Sequence, residues 1–262
     1  MSRSLMPLSA SPARLLPRAV PEARWRPGLP AQPFHSEIFA STCQASGAGL
    51  ALALARDALK SQDPSSRQGE DEDTRHVLWV QDRKAIRLGG RPFLRGLPPD
   101  LRHRVIHVAA NTPEDALFAL EEGLKCRDLA CVIGEIAGNS QALSFTASRR
   151  LSLTAERHGV RLWLVRLDAA PDLSSARMRW QVRAAPSSPS RWNAAAPGTA
   201  AWHAELFRAR AHAPGEWMLS DENGKLYISR DPAAAFAVSA APDPRHLARP
   251  TFGRSLAARA RA

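Results

Sequence analysis

A phosphate-binding loop between a strand and a helix needs three things. Glycines let backbone amides approach the phosphate, a Lys supplies charge, and a Ser or Thr holds magnesium. The stretch Glu37-Ile38-Phe39-Ala40-Ser41-Thr42-Cys43-Gln44-Ala45-Ser46-Gly47-Ala48-Gly49 has that setting. Its residues do not complete the chemistry. Ala48 follows Gly47 where Lys is needed, and Gly49 stands where Ser or Thr is needed. Ser46, Gly47 and Gly49 then offer an amide cradle without its charge or its metal ligand. Three readings stay open: a strand–helix turn whose glycines serve tight packing, a weak or vestigial nucleotide site, and a working NTPase.

Other candidates are fewer. Glu135 ends the apolar run Leu-Ala-Cys-Val-Ile-Gly-Glu-Ile over 129–136. In nucleotide-hydrolysing folds such an acid organises magnesium or water. Burying it ionised is costly, so it is expected to reach solvent at the strand edge. A plain strand-end carboxylate is the alternative, and Asp82 after the run 76–81 carries the same ambiguity. His103 and His107 are four apart but fall at and within an expected strand, with no Glu-x-x-His pattern around them. Cys126 and Cys131 do not form CxxC, and no His stands near Cys43 in sequence to activate it. No Gly-x-Ser-x-Gly elbow occurs, so no hydrolase constellation is found. No resident metal or cofactor is expected.

The arginines remain. The 262 residues carry a formal charge of +11. Residues 1–34 hold Arg3, Arg14, Arg18, Arg24 and Arg26 against one acid, Glu22. Residues 245–262 hold Arg245, Arg249, Arg254, Arg259 and Arg261 and no acid. The body between them is nearly neutral. Arginines without acids can neutralise phosphates, which makes the C-terminal end a candidate DNA contact. Only Phe252 offers a stacking ring there. A solvated tail and a protein contact are the other readings.

A hydrophobic content of 44% supports a packed core. No stretch approaches the ~18 consecutive apolar residues of a membrane-spanning helix. Three cysteines are too few and too odd in number for a disulfide scaffold. Residues 1–33 are Pro- and Arg-rich and read as a disordered basic leader, a composition shared with transit peptides. Residues 61–75 read as an acidic surface loop, 184–201 as a Pro/Ala-rich loop, and 231–262 as a basic, poorly ordered tail with a possible short helix at 255–261.

Between these breaks strands and helices alternate. A strand ends at Ile38-Phe39, a helix covers 49–60, and strands cover 76–81 and 104–109. Thr112-Pro113-Glu114-Asp115 is a helix start: a capping hydroxyl, a proline suited to the first turn, and acids at the positive end of the dipole. The strand 129–136 reads as buried on both faces. A helix follows over 140–158, stopped by Gly159, and then a strand over 160–167. After Asp168 the strands 179–183, 202–210, 216–220 and 225–229 have no helices between them, and Asn223-Gly224 marks a hairpin. The fold class is α/β, a mostly parallel sheet flanked by helices and extended by antiparallel strands.

This order resembles the RecA-like core, in which a strand enters the phosphate loop and a helix, then strand, strand, helix, acid-ended strand, helix, strand. More specifically the chain is similar to ImuA proteins, the RecA/SulA-like family of bacterial damage-induced mutagenesis operons. The resemblance rests on His35 with Glu37-Ile38-Phe39-Ala40, on Trp79-Val80-Gln81-Asp82-Arg83, and on the run from Arg149-Arg150-Leu151 to His158-Gly159-Val160. It continues through Arg179-Trp180-Gln181-Val182, Glu205-Leu206-Phe207-Arg208-Ala209-Arg210 and Pro214-Gly215-Glu216-Trp217. It covers roughly 34–230, as one RecA-like domain.

The resemblance implies a cytoplasmic accessory protein of translesion synthesis (SOS mutagenesis). Its partners would be ImuB, a catalytically silent Y-family polymerase homologue, an error-prone polymerase, and RecA. The degenerate loop favours a non-catalytic adaptor. A SulA-like cell-division inhibitor and a DNA-dependent ATPase are the alternatives. The charge distribution makes its own prediction. Deleting 245–262 should remove most salt-sensitive DNA binding in filter or anisotropy titrations while the melting temperature is kept. Unchanged binding would assign the charge to a solvated tail.

Overall fold

A computed structural model describes residues 24–27, 33–61, 74–187, 193, 196 and 198–228. The elements run β1 (His35–Ala40), α1 (Ser46–Lys60), β2 (His76–Asp82), α2 (Arg83–Gly89), a 3-10 turn (Leu94–Gly96), β3 (Val105–Ala110), α3 (Pro113–Lys125), β4 (Leu129–Ala137), α4 (Phe145–His158) and β5 (Arg161–Leu167). Four strands complete the chain: β6 (Met178–Ala185), β7 (Ala201–Ala209), β8 (Gly215–Glu222) and β9 (Lys225–Ile228). All nine strands form one sheet in the order β3-β2-β4-β5-β1-β6-β7-β8-β9. The strands from β3 across to β6 are parallel, and β7, β8 and β9 add antiparallel pairs. The mixed α/β class with a mostly parallel sheet and an antiparallel extension is as expected.

Strand alternation divides the core. Trp79, Ile133, Trp163 and Val165 pack with α1 on one face. Leu78, Val80, Val132, Leu162 and Leu164 pack with α3 and α4 on the other. Central β4 is buried at every position, as the two-sided apolar run requires. Helix starts follow local chemistry. Thr112 Oγ1 accepts from the Asp115 amide, and Ser144 Oγ from that of Ala147. The second cap moves the start of α4 to Phe145, so the expected helix is shorter by residues 140–144. Gly159 ends it in the left-handed region at φ 71°, and Asn223 and Gly224 turn the β8–β9 hairpin at φ 55° and 81°. Sequence reading had no expectation for α2 or the 3-10 turn. The expected loop at 184–201 is trimmed at both ends, because 184–185 finish β6 and Ala201 opens β7.

The middle of the sheet holds a buried ion cluster. Glu37 on β1 and Arg166 on β5 are both fully buried, and Arg179 on β6 nearly so. Glu37 Oε2 accepts from Arg179 Nε at 2.8 Å, and Oε1 accepts from Ser174 Oγ at 2.7 Å. Arg166 makes a two-pronged contact to Asp172, 3.3 Å on each side. Both guanidinium groups lie over the Phe39 ring, at 5.5 and 5.0 Å. Two acids therefore face two arginines, the half-exposed Asp172 at the edge of the cluster, which is what lets the buried charges persist. His35, one strand residue pair earlier, is also buried. Burial, then the Arg179 charge, pushes its pKa down to about 3.

The expectation of a disordered leader through residue 33 fails at 24–27. Trp25 is fully buried and meets Trp180 and Trp217 edge-on, with ring centres 4.9 and 5.8 Å away. Arg24 bridges to Ala213 and lies 6.0 Å from the centre of the Trp217 ring. A large aromatic ring has a strong drive to leave water, and the antiparallel strands provide the pocket. The rest of the leader, the acidic run 70–73 and the tail lie outside the described residues. Trp25→Ala should cost about 3–5 kcal/mol of unfolding free energy in urea titrations, as for a buried core aromatic. A loss under about 0.5 kcal/mol, the scale of a surface change, would mean that Trp25 is not part of the core in solution.

Candidate functional site

At the ends of the parallel strands, a cleft of about 350 Å³ opens between the β1–α1 loop and the segment from α2 through the 3-10 turn. Thr42, Cys43, Gln44, Ala45 and Ala48 form one wall, Leu88 to Phe93 the other, and Trp79, Gln81 and Glu135 the floor. Phe93 is 72% exposed at its rim.

The β1–α1 loop does not present its first amides to the cleft. The Thr42 amide donates to Asp168 Oδ1 at 3.0 Å, and the Thr42 hydroxyl donates to Asp168 Oδ2. The Cys43 amide goes to Ser41 Oγ and the Gln44 amide to the Ser41 carbonyl. Gln44 itself accepts from the Ala184 amide, tying the loop to β6. These bonds from Thr42, the hydroxyl first, hold the Asp168 carboxyl below the usual range. Asp168 adopts φ 47°, a conformation that few non-glycine residues take. A carboxylate of the chain itself thus takes the Thr42 amide and hydroxyl.

The three loop residues singled out from sequence serve the packing. A Cβ on Gly47 would lie 2.8 Å from Ala40 Cβ and Val165 Cγ1, so glycine sets how closely α1 approaches the sheet. One on Gly49 would lie 3.2 Å from the Trp202 ring nitrogen. Ser46 is buried, and its hydroxyl has no hydrogen-bond partner. None of the three lines the cleft.

Glu135 does line it, but not as a solvated strand end. It lies inside β4, is 4% exposed, and accepts from Trp79 Nε1 at 2.6 Å. Burial pushes its pKa up; hydrogen bonds from Trp79 and Gln81 oppose this, and the Asp82 charge adds to it. The expectation of a solvated carboxylate is therefore wrong: the side chain is buried, and the Trp79 indole stands where water was expected. Asp82 is structural. Its carboxylate accepts from the Ala85 amide at 2.6 Å, capping α2, and from the Ala137 amide at 3.3 Å. Gln81 joins β3 to the end of α2, pairing with His107 Nε2 at 2.9 Å and donating to the Gly90 carbonyl at 2.9 Å.

Among the described residues no group of three or more His, Cys, Asp or Glu could hold a metal. Cys43 and Cys126 are exposed and Cys131 is buried. No helix among the described residues is long and apolar enough to cross a membrane. The DNA-contact candidates Arg245, Arg249, Arg254, Arg259 and Arg261 lie outside the described residues. Sequence reading missed Asp168, Trp79 and Gln81 as site residues. A polar residue at the end of the strand beside β1 was the available signal for Asp168. No protein-family model matches this chain, and the curated proteins contain no match to it.

The raised pKa of Glu135 carries a sign. The folded state holds this proton more tightly than the unfolded chain, so its stabilising effect is present at acid pH and lost as pH rises through the raised value. Glu135→Gln keeps an acceptor for Trp79 and does not ionise. Its urea midpoint relative to the parent should therefore rise between acid and neutral pH, across the ordinary carboxyl value of 4.5. A difference that stays flat with pH would mean that Glu135 is ionised without strain.

Proposed function

We propose that the chain is a non-catalytic RecA-like accessory protein of damage-induced translesion synthesis, acting as an adaptor rather than as a nucleotide-driven motor. The observation that carries this reading is the Asp168 carboxylate on the Thr42 amide and hydroxyl, in a loop with Ala48 where a phosphate loop has Lys. A polyphosphate approaching that loop would meet a negative charge, offset by Lys84 of α2 but by no lysine of the loop itself. The element order supports the RecA-like part of the reading. Strand β1 leads through the loop into α1, and Glu135 lies in β4 between α3 and α4, as in the core that the sequence resembles. The similarity to ImuA proteins supplies the process and the partners: an ImuB-like protein, an error-prone polymerase and RecA, with DNA contacted through the arginine-rich tail.

The test has two arms. Pull-down of ImuB-like protein and RecA by the full chain should succeed, and a deletion strain should lose damage-induced mutagenesis. Normal mutagenesis together with no binding would overturn the adaptor reading. Filaments on overexpression with mutagenesis unchanged would select the division-inhibitor alternative. Phosphate release stimulated by single-stranded DNA and abolished in Glu135→Gln would select the ATPase.

A further inference from the structure

A second cleft, of about 440 Å³, lies beside α4 on the sheet face away from α1. Its walls are α4, the 174–177 segment leading into β6, and Arg208–Arg210 at the end of β7. Four arginines line it, Arg149, Arg177, Arg208 and Arg210, against one acid, Glu156. That acid is engaged, since Arg177 Nε donates to Glu156 Oε1 at 2.6 Å. Arg149, Arg208 and Arg210 are exposed and have no ion pair among the described residues. Three positive charges therefore converge on a concave surface without compensation.

The cleft also has an apolar edge. Phe145, Arg149 and Leu153 are four apart on α4 and form one ridge along its outer face. Phe145 is 48% exposed and Leu153 55%. The floor is fixed from below. Ser152 Oγ and Ser175 Oγ are 2.6 Å apart, Ser148 Oγ and Ser174 Oγ 2.9 Å, and Ser174 donates to the buried Glu37. A ligand meeting such a floor has little ordering left to do, which favours affinity.

Charge and shape select the occupant. Guanidinium forks match carboxylates in two-pronged geometry, and aromatic plus arginine is the composition of protein-binding hot spots. Nucleic acid fits less well. Phe145 is the single aromatic ring of the lining, and Leu153 gives no stacking surface. Both ends of this chain carry the sign of the cleft itself. The chain's own acidic run, Glu70-Asp71-Glu72-Asp73, has the right sign but no apolar side chain. We infer that this cleft docks an acidic peptide segment of a partner protein, its carboxylates on Arg149, Arg208 and Arg210 and an apolar side chain against Phe145 and Leu153.

This inference does not depend on the mutagenesis reading, and a peptide of stated composition tests it. A fluorescein-labelled peptide of alternating Glu and Leu is titrated with the full chain, beside a Lys/Leu peptide and a labelled oligothymidine. The Glu/Leu peptide should bind saturably and the Lys/Leu peptide should not. The variant combining Arg149→Ala, Arg208→Ala and Arg210→Ala should lose about tenfold or more in affinity for Glu/Leu, the range of lost interfacial charge pairs. Leu153→Ser alone should lose about threefold or more through its apolar contact. All four side chains are exposed, so the melting temperature should be kept in both variants. Glu/Leu affinity unchanged by the triple variant, or equal binding of both peptides, would overturn the proposal. Loss of oligothymidine binding in that variant with Glu/Leu binding intact would reassign the cleft to nucleic acid.

Discussion

The carboxylate of Glu37 is the constraint on which the centre of this fold depends. It sits on a strand with parallel neighbours on both sides, has no exposure to water, and must be met by cations. Leaving a buried charge of this kind alone costs several kcal/mol, on the order of 3–5 when one partner is removed. The cations come from β5 and β6, and Asp172 then balances the first of them, Arg166. The register of three strands and the path of the chain from 168 to 178 are therefore joined by one electrostatic requirement. An apolar centre would tolerate a register slip more readily, because Leu and Val do not need particular partners. The serines of α4 are drawn into the same network through Ser174.

Burying charge at the centre has consequences at both ends of the sheet. At one end, the link between β5 and β6 begins with Asp168, which turns back onto the β1–α1 loop and takes its first amide. The Cys43 and Gln44 amides are taken within the loop, by Ser41. Gly47 and Gly49 set the distance from α1 to Ala40, Val165 and Trp202, a job that needs no ligand. At the other end, the same link closes through 174–177 and forms the floor of the arginine-lined cleft. One connection thus takes the Thr42 amide and builds the second concave surface.

A second tie holds the antiparallel extension to the helix. Arg56 on α1 grips Asp100 with two nitrogens, at 2.9 and 3.1 Å, and Asp221 on β8 with the third, at 2.7 Å. Asp57 accepts from the Leu226 amide of β9 at 3.1 Å. With the Trp25–Trp180–Trp217 cluster on the same face, these contacts make β6 to β9 one body with the parallel core. Bidentate, largely buried arginine contacts of this type are more selective than surface ion pairs.

The amino-acid sequence by itself determined the order of the strands and of α1, α3 and α4, though not α2 or the 3-10 turn, because strand and helix periodicities, the Thr112 and Gly159 signals and the Asn223-Gly224 turn are local physics. It also determined that the loop before α1 lacks Lys at position 48. Tertiary structure alone decided the rest. Nothing near Asp168 in sequence says that it will accept from Thr42, 126 residues away. Nothing near Glu135 says that an indole from a neighbouring strand will replace water, so its burial ran against a sound local argument. Trp25 looked like part of a polar leader because its pocket is made by strands some 150 residues and more further along. The three exposed arginines of the second cleft come from α4 and the end of β7 and meet only once the sheet is assembled. Local free energies are encoded within a few residues, whereas desolvation depends on which distant groups close over a site.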